Sequence, residues 1–290
     1  MTGRSGSASG SGSRAAALAG VARPLNGLIA AAAVLVGAAV TRLPLAVGSA
    51  LAAGASAFLI AGGANAYNDF VDVEADSVNR PGRPVPSGRL GRRDALSVAS
   101  VFYASGLVIA AFVGPPALIL AGLWVIATLA YSRSWQGIPY VGNLVVAVVA
   151  ASACIMGGLS QGGISRSLVP FALAFLAHLA REIYKDVEDT EGDVTQGRTT
   201  AALRYGSRAS LEVARGVVVA LMIAAVLPMA AGLYGRWYRV LIIVVEAILV
   251  WVVVSSMRGG AEHRAGWFSI ALKCAMALGL AAIALGVFLR

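Results

Sequence analysis

The feature that most constrains this chain is the recurrence, from residue 25 to residue 288, of apolar runs about 20 residues long, each enough to cross a ~30 Å hydrocarbon layer as a helix. Nine such spans are expected, roughly at 25–41, 47–66, 95–113, 116–133, 140–160, 168–185, 210–231, 238–257 and 267–288. With 58% hydrophobic and only 13% charged residues among 290, the chain is not an ordinary soluble domain. The pattern predicts an all-α, multi-span membrane protein, its nine transmembrane helices in one bundle around a central cavity, over residues 21–290. Residues 1–20, rich in Ser, Gly, Ala and Arg, read as a disordered basic tail. They lack the apolar stretch and cleavage site of a secretory signal.

The net charge of +9 would suit a nucleic-acid binder, but the basic residues lie in short loops between apolar runs. If the N-terminus is cytoplasmic, 18 of the 23 Arg and Lys fall on or near that side, leaving Arg42, Arg166, Arg236, Arg239 and Arg290 opposite. This asymmetry predicts a cell-membrane protein with its N-terminus inside, and no nucleic-acid partner. The two cysteines lie inside apolar runs without metal-ligand spacing, and the two histidines are isolated, so zinc or iron chemistry is not expected.

Against this apolar background one polar stretch stands out. Residues 65–76 read Asn-Ala-Tyr-Asn68-Asp69-Phe-Val-Asp72-Val-Glu-Ala-Asp76, followed by Arg80, Arg83 and Arg89 among prolines and glycines. On a continuous helix Asn68, Asp72 and Asp76 share one face, with Asp69 on the same side. The D-x2-D-x3-D spacing recurs at Asp186, Asp189 and Asp193. Ten of the fourteen acidic residues fall in these two windows, so they are not a generic solvated surface. Nine spans place both windows on the same, cytoplasmic, face, as two halves of one shared metal site.

Carboxylates with few other donors suit Mg²⁺ or Ca²⁺, and Mg²⁺ completes its shell with water or substrate phosphate oxygens. Lys185, Arg198 and the group Arg80, Arg83 and Arg89 are placed to hold phosphate oxygens that a metal leaves uncovered. Acidic windows and basic loops at a membrane surface point to a diphosphate with a lipid tail lying among the helices. Charge building on a leaving diphosphate would be neutralised at this mouth. An allylic carbon gaining positive charge could be stabilised by aromatic faces, for which Tyr67, Tyr131 and Tyr184 are candidates together with Phe70 and Trp135. Asn26 and Arg23, at the start of the first span, are candidates to face the same site.

These residues carry a resemblance. Asn68-Asp69-Phe-Val-Asp72-Val-Glu-Ala-Asp76 resembles the NDxxDxxxD motif of the UbiA family of intramembrane prenyltransferases, and Arg80-Pro-Gly-Arg83-Pro84-Val-Pro86-Ser87-Gly88 resembles its continuation. The second window is similar to the family's second aspartate motif, and Gly197-Arg198-Thr199-Thr200 to the segment that follows it. The resemblance spans about residues 20–290 and implies nine helices and Mg²⁺-dependent transfer of a polyprenyl group from its diphosphate. It also implies that Asn68, Asp72, Asp76, Asp189 and Asp193 are metal and diphosphate ligands carrying the catalysis, with Asp69 and Asp186 in the same shells. One departure is that Trp135, not Lys, stands four positions after Tyr131, with Arg133 as the substitute cation.

Within the family, Arg181-Glu182-Ile-Tyr-Lys185-Asp186-Val-Glu188-Asp189 is most similar to the digeranylgeranylglyceryl phosphate synthases, whose acceptor is a hydroxyl of a prenylated glycerol phosphate lipid. Similar text occurs in branches that prenylate aromatic rings such as 4-hydroxybenzoate. A cation transporter is the non-enzyme alternative, but it would place carboxylates near mid-membrane rather than beside arginines at a helix end. The expected partners are a polyprenyl diphosphate donor, a lipid or aromatic acceptor and membrane lipids. No protein partner is required.

Overall fold

A computed structural model describes residues 8–289, with side chains from Arg14 onward. Every regular element among them is helical: α1 (Ala8–Ala22), α2 (Pro24–Thr41), α3 (Val47–Val71), α4 (Val73–Asn79), α5 (Arg92–Val113), α6 (Pro115–Ala130), a π-turn (Tyr131–Trp135), α7 (Val141–Ala151), α8 (Ala153–Ser160), α9 (Leu168–Glu188), α10 (Thr190–Thr195), α11 (Ala201–Tyr205), α12 (Ser207–Ala230), α13 (Arg236–Ser256), a 3₁₀ turn (Glu262–Arg264) and α14 (Ala265–Phe288). Among the described residues, eight helical stretches are long and apolar enough to cross a membrane. The remaining expected span, the sixth at 168–185, is α9. It has the length, but Arg181, Glu182, Lys185, Asp186 and Glu188 make its second half polar. That polar half is what brings it to the site.

Helix ends follow local chemistry. Proline opens α2 at Pro24 and α6 at Pro115, where a missing N–H costs nothing. Asp94 caps α5 by accepting from the Gly91 N–H at 3.3 Å. The expected fifth span is broken at Ser152, whose hydroxyl accepts from the Trp124 indole at 2.6 Å.

The tail expected to be disordered is helical over Ala8–Ala22, while residues 1–7 lie outside the described ones. The Ala-rich stretch from Ala15 favours a helix, and Ala17 and Val21 bury themselves against the first half of the bundle. Arg23 then turns the chain into α2 with φ 48°, a left-handed conformation uncommon outside glycine.

Two apolar cores hold the bundle. One is built from α1, α2, α3, α5, α6 and α8 and includes Ile60, Tyr103, Trp124 and Met156. The other is built mainly from α9, α12, α13 and α14 and includes Tyr184, Leu249 and Phe268. Between them runs a cavity of about 550 Å³. The acidic windows lie at one end of the bundle, where α4 and α10, the short helices that follow α3 and α9, pack on each other.

Candidate active site

The first window is not one continuous helix. α3 ends at Val71, Asp72 sits at the junction with φ −93° and ψ 20°, and α4 begins at Val73. The second window breaks at the matching residue: α9 ends at Glu188, Asp189 has φ −91° and ψ 6°, and α10 begins at Thr190. In each window the first aspartate lies on the long helix, the second at the break and the third on the short helix.

The windows are stitched together by side chains exchanged between them. Arg80, after the first window, donates to Asp189 Oδ1 at 2.6 Å and approaches Glu188 at 3.5 Å. Arg198, after the second, donates to Asp193 Oδ1 at 3.0 Å with one nitrogen and to Asp72 Oδ1 with the other. Asn79 closes the joint by donating to the Asp189 carbonyl and accepting from the Gly192 N–H, both at 3.0 Å. A Cβ on Gly192 would run into the Asn79 amide and displace it.

Within the first window, Asn68 donates to Asp72 Oδ2 at 2.5 Å and Gln136 to Asp72 Oδ1 at 2.9 Å. Arg83 donates to Asp76 Oδ2 at 2.5 Å and reaches Asp69 Oδ1 at 3.5 Å. The fully buried Asp69 also accepts from Arg23, which bridges to Asn65 at 3.3 Å. In the second, Asp186 accepts from Asn143 of α7 at 2.9 Å, and Lys185 stands 4.0 Å from Asp189 and 3.6 Å from Glu182. Burial pushes the Asp193 carboxyl above its ordinary value, against the opposing pull of Arg198. Burial works against the charge on Arg80, yet Asp189 and Glu188 outweigh it and hold this guanidinium above its usual range.

The cavity opens beside this network. Its mouth carries Arg23, Asn26, Asn68, Arg80, Arg83 and Lys185, and its depth is apolar, reaching Tyr238, Ile242 and Ile283. The matched residues of the UbiA prenyltransferase family model run from 27 to 272 and take in both windows, the joint between them and most of the cavity lining. The chain belongs to the UbiA prenyltransferase family. It is a multi-pass membrane enzyme that transfers prenyl groups.

Its relatives in the family include a digeranylgeranylglyceryl phosphate synthase of Methanopyrus kandleri, 37% identical over 90% of this chain and 96% of that one. Another, from Thermococcus sibiricus, is 34% identical over 92% and 95%. A solved structure concerned with digeranylgeranylglyceryl phosphate synthase in membranes has a TM-score of 0.75 at 25% identity, covering 96% of this chain and 99% of that one. A UbiA homologue from Archaeoglobus fulgidus, solved with GPP and Mg²⁺, shares the fold, with a TM-score of 0.69 at 18% identity over 92% and 99%.

Measured against the sequence expectations for a UbiA enzyme, the structure brings together Asn68, Asp69, Asp72, Asp76, Asp189, Asp193, Arg80, Arg83, Arg198 and Lys185. Asp186 stands outside that hydrogen-bonded network, paired with neutral Asn143 of α7. Tyr131 and Asn26 line the cavity, Asn26 donating to Asn65 at 3.4 Å. Three expectations fail. Tyr184 is fully buried against Phe268 in the second core, on the flank of α9 beside the cavity face that carries Arg181, Glu182 and Lys185. Tyr67 packs on Phe70 in the first core, away from the cavity face of α3 that carries Ala61, Asn65 and Asn68. Arg133 projects to the surface from the π-turn and forms no ion pair among the described residues, and Gln136, three residues on, reaches Asp72 instead.

Asn79, Gln136, Asn143 and Lys273 were not singled out as site residues from sequence. Asn79 had a signal in its place directly before Arg80. Asn143 had one in the pair Gly142-Asn143, which resembles the family's segment between the fourth and fifth helices, whereas a lone Gln in a turn or Lys in an apolar run has none.

Proposed function

We propose that this enzyme transfers a polyprenyl group, geranylgeranyl by the branch it most resembles, from its diphosphate to a hydroxyl of a prenylated glycerol phosphate lipid, with Mg²⁺ at the aspartate windows. One observation carries the reading: Arg198 and Arg80 each tie the two windows to one another at the mouth of an apolar cavity. Two distant parts of the chain thus present their charges to one ligand. The names of the relatives favour the lipid acceptor.

Among the described residues, no three acidic, histidine or cysteine side chains converge closely enough to hold a metal ion alone, because each carboxylate is drawn to an arginine or an amide. The donor chemistry nevertheless fits Mg²⁺. All the candidate donors are hard oxygens. Asp69 Oδ2 is buried without a partner, and Asp76 Oδ1 and Asp193 Oδ2 accept no hydrogen bond among the described residues. Asn68, Asp72, Asp76, Asp189 and Asp193 would hold the ion, with Asp69 and Asp186 supporting them. When bound with the donor, Mg²⁺ supplies charge stabilisation to the departing diphosphate.

The chain's own side chains do the rest. Arg80, Arg83 and Lys185 line the cavity and offer charge-assisted donors to diphosphate oxygens, which compete for them with the carboxylates they now hold. Arg198 keeps Asp72 and Asp193 at a common site. Tyr131 presents an aromatic wall beside the allylic carbon. The apolar depth takes the prenyl tail and excludes water that would intercept the reactive carbon. The positive charge around both windows supports a cytoplasmic mouth.

Purified enzyme supplied with geranylgeranyl diphosphate and Mg²⁺ tests the reading. The prenylated glycerol phosphate lipid is expected to give a diprenylated product with diphosphate release. Product from 4-hydroxybenzoate alone would overturn the acceptor assignment, and release of no diphosphate with either would overturn the reaction.

A further inference from the structure

The aspartate windows leave a second polar cluster unexplained. On the cavity face of α9, His178, Arg181, Glu182 and Lys185 follow one another at helical spacing, and Lys273 of α14 lines the same cavity. Arg181 and Lys185 share the Glu182 carboxylate, Arg181 through a short contact to Oε1 and Lys185 at 3.6 Å from Oε2. The Arg181 Nε is buried and has no hydrogen-bond partner. Lys273, in the field of Arg181, Glu182 and Lys185, forms no ion pair or hydrogen bond among the described residues. Arg181 and Lys273 thus stand near a single carboxylate, Glu182, which is shared with Lys185, itself also 4.0 Å from Asp189. Lys273 stands more than two turns, about 12 Å, inside α14 from its polar end.

A cation at such a position calls for an anion. The donor diphosphate has its own partners at the windows, and Arg181 lies about 12 Å along α9 from Asp189. The second anion in the reaction is the acceptor's phosphate.

We propose that Arg181 and Lys273 form an acceptor subsite that binds a phosphate monoester on the incoming lipid, with Glu182 positioning the Arg181 guanidinium and Lys185 standing between this subsite and the windows. The proposal rests on the glycerol phosphate reading above and deepens it. Holding the phosphate inside the cavity turns the acceptor's hydroxyl end toward the donor. A neutral or aromatic acceptor has no phosphate to place there.

The test compares wild type with Lys273→Met and Lys273→Arg, all in lipid nanodiscs. Steady-state kinetics with Mg²⁺ and geranylgeranyl diphosphate are paired with equilibrium binding, without donor, of the prenylated glycerol phosphate lipid and of its dephosphorylated glycerol counterpart. Losing one charge-assisted contact should raise the acceptor KM roughly tenfold or more in K273M, leave the donor KM unchanged and be reversed by K273R. Wild type should prefer the phosphorylated lipid in the binding measurement, and K273M should lose that preference. An unchanged acceptor KM and an unchanged preference in K273M would overturn the subsite while leaving the reaction standing. A parallel rise in donor KM would also overturn it, by assigning Lys273 to the diphosphate. If wild type does not turn over the glycerol phosphate lipid at all, the acceptor reading itself falls and takes the subsite with it.

Discussion

The two aspartate windows share a spacing, a helix break at the middle aspartate and a short helix carrying the third, yet their first aspartates live in different surroundings. Asp69 is fully buried and takes two arginines, Arg23 and Arg83. Asp186 is half-buried and takes a neutral amide, Asn143. The middle aspartates instead take arginines exchanged across the joint, Asp189 from Arg80 and Asp72 from Arg198, and the third aspartates take arginines that follow their own window, Asp76 from Arg83 and Asp193 from Arg198. The comparison separates two tasks that the same letters perform. The paired middle and third positions build the shared site, while Asp69 anchors one half of the bundle to the α1–α2 turn.

The largest expected effect tests the equivalence of the middle aspartates. Asp72→Ala and Asp189→Ala should each lower Mg²⁺-dependent prenyl transfer by about 10³-fold, the scale of losing a charge-stabilising group in the transition state. A variant retaining near wild-type turnover at either position would break the equivalence. Next comes the contrast between the first aspartates, read as thermal unfolding in detergent. Asp69→Asn strands two arginines and should cost about 3 kcal/mol, whereas Asp186→Asn keeps an amide partner and should cost about 1 kcal/mol or less. Equal losses would show that the surroundings do not matter. A smaller change should come from Gly192→Ala, which displaces Asn79 and with it two hydrogen bonds of the joint, costing about 1–2 kcal/mol and lowering activity by roughly tenfold. Asn79→Ala alone should lower activity by a similar amount, and Gly192→Ala should add little in that background; additive losses would show that Gly192 does not act through Asn79. The smallest pair is in the π-turn: Gln136→Ala should lower kcat/KM about fivefold and Arg133→Ala by less than about twofold, since only Gln136 touches Asp72.

The spans were legible in the sequence because the length of an apolar run is fixed by the thickness of the layer it crosses. The windows were legible because carboxylates are costly in that setting and so cannot cluster without a reason. The break at Asp72 was not. Hydropathy and spacing describe a helix face, and a single junction residue alters neither. Tyr67, Tyr131 and Tyr184 look alike by composition, and only the π-turn after α6 and the rotation of α3 and α9 about their axes decide that Tyr131 reaches the cavity and the other two the cores. Lys273 carries no signal of its own in the sequence, because no pattern links it to α9, about ninety residues earlier in the chain. Long-range pairing of this kind is decided by how α14 packs on α9, information carried by both helices together.

The seam between α2 and α8 has a mechanical consequence. A Cβ on Gly37 would land on the Cys154 carbonyl, and one on Gly157 on the Val34 carbonyl, so the two backbones meet without side chains between them. Rods touching in this way cannot slide or roll past one another, and they move as a single plank. Whatever breathing admits a bulky lipid must therefore be taken up at other seams, where longer side chains can yield.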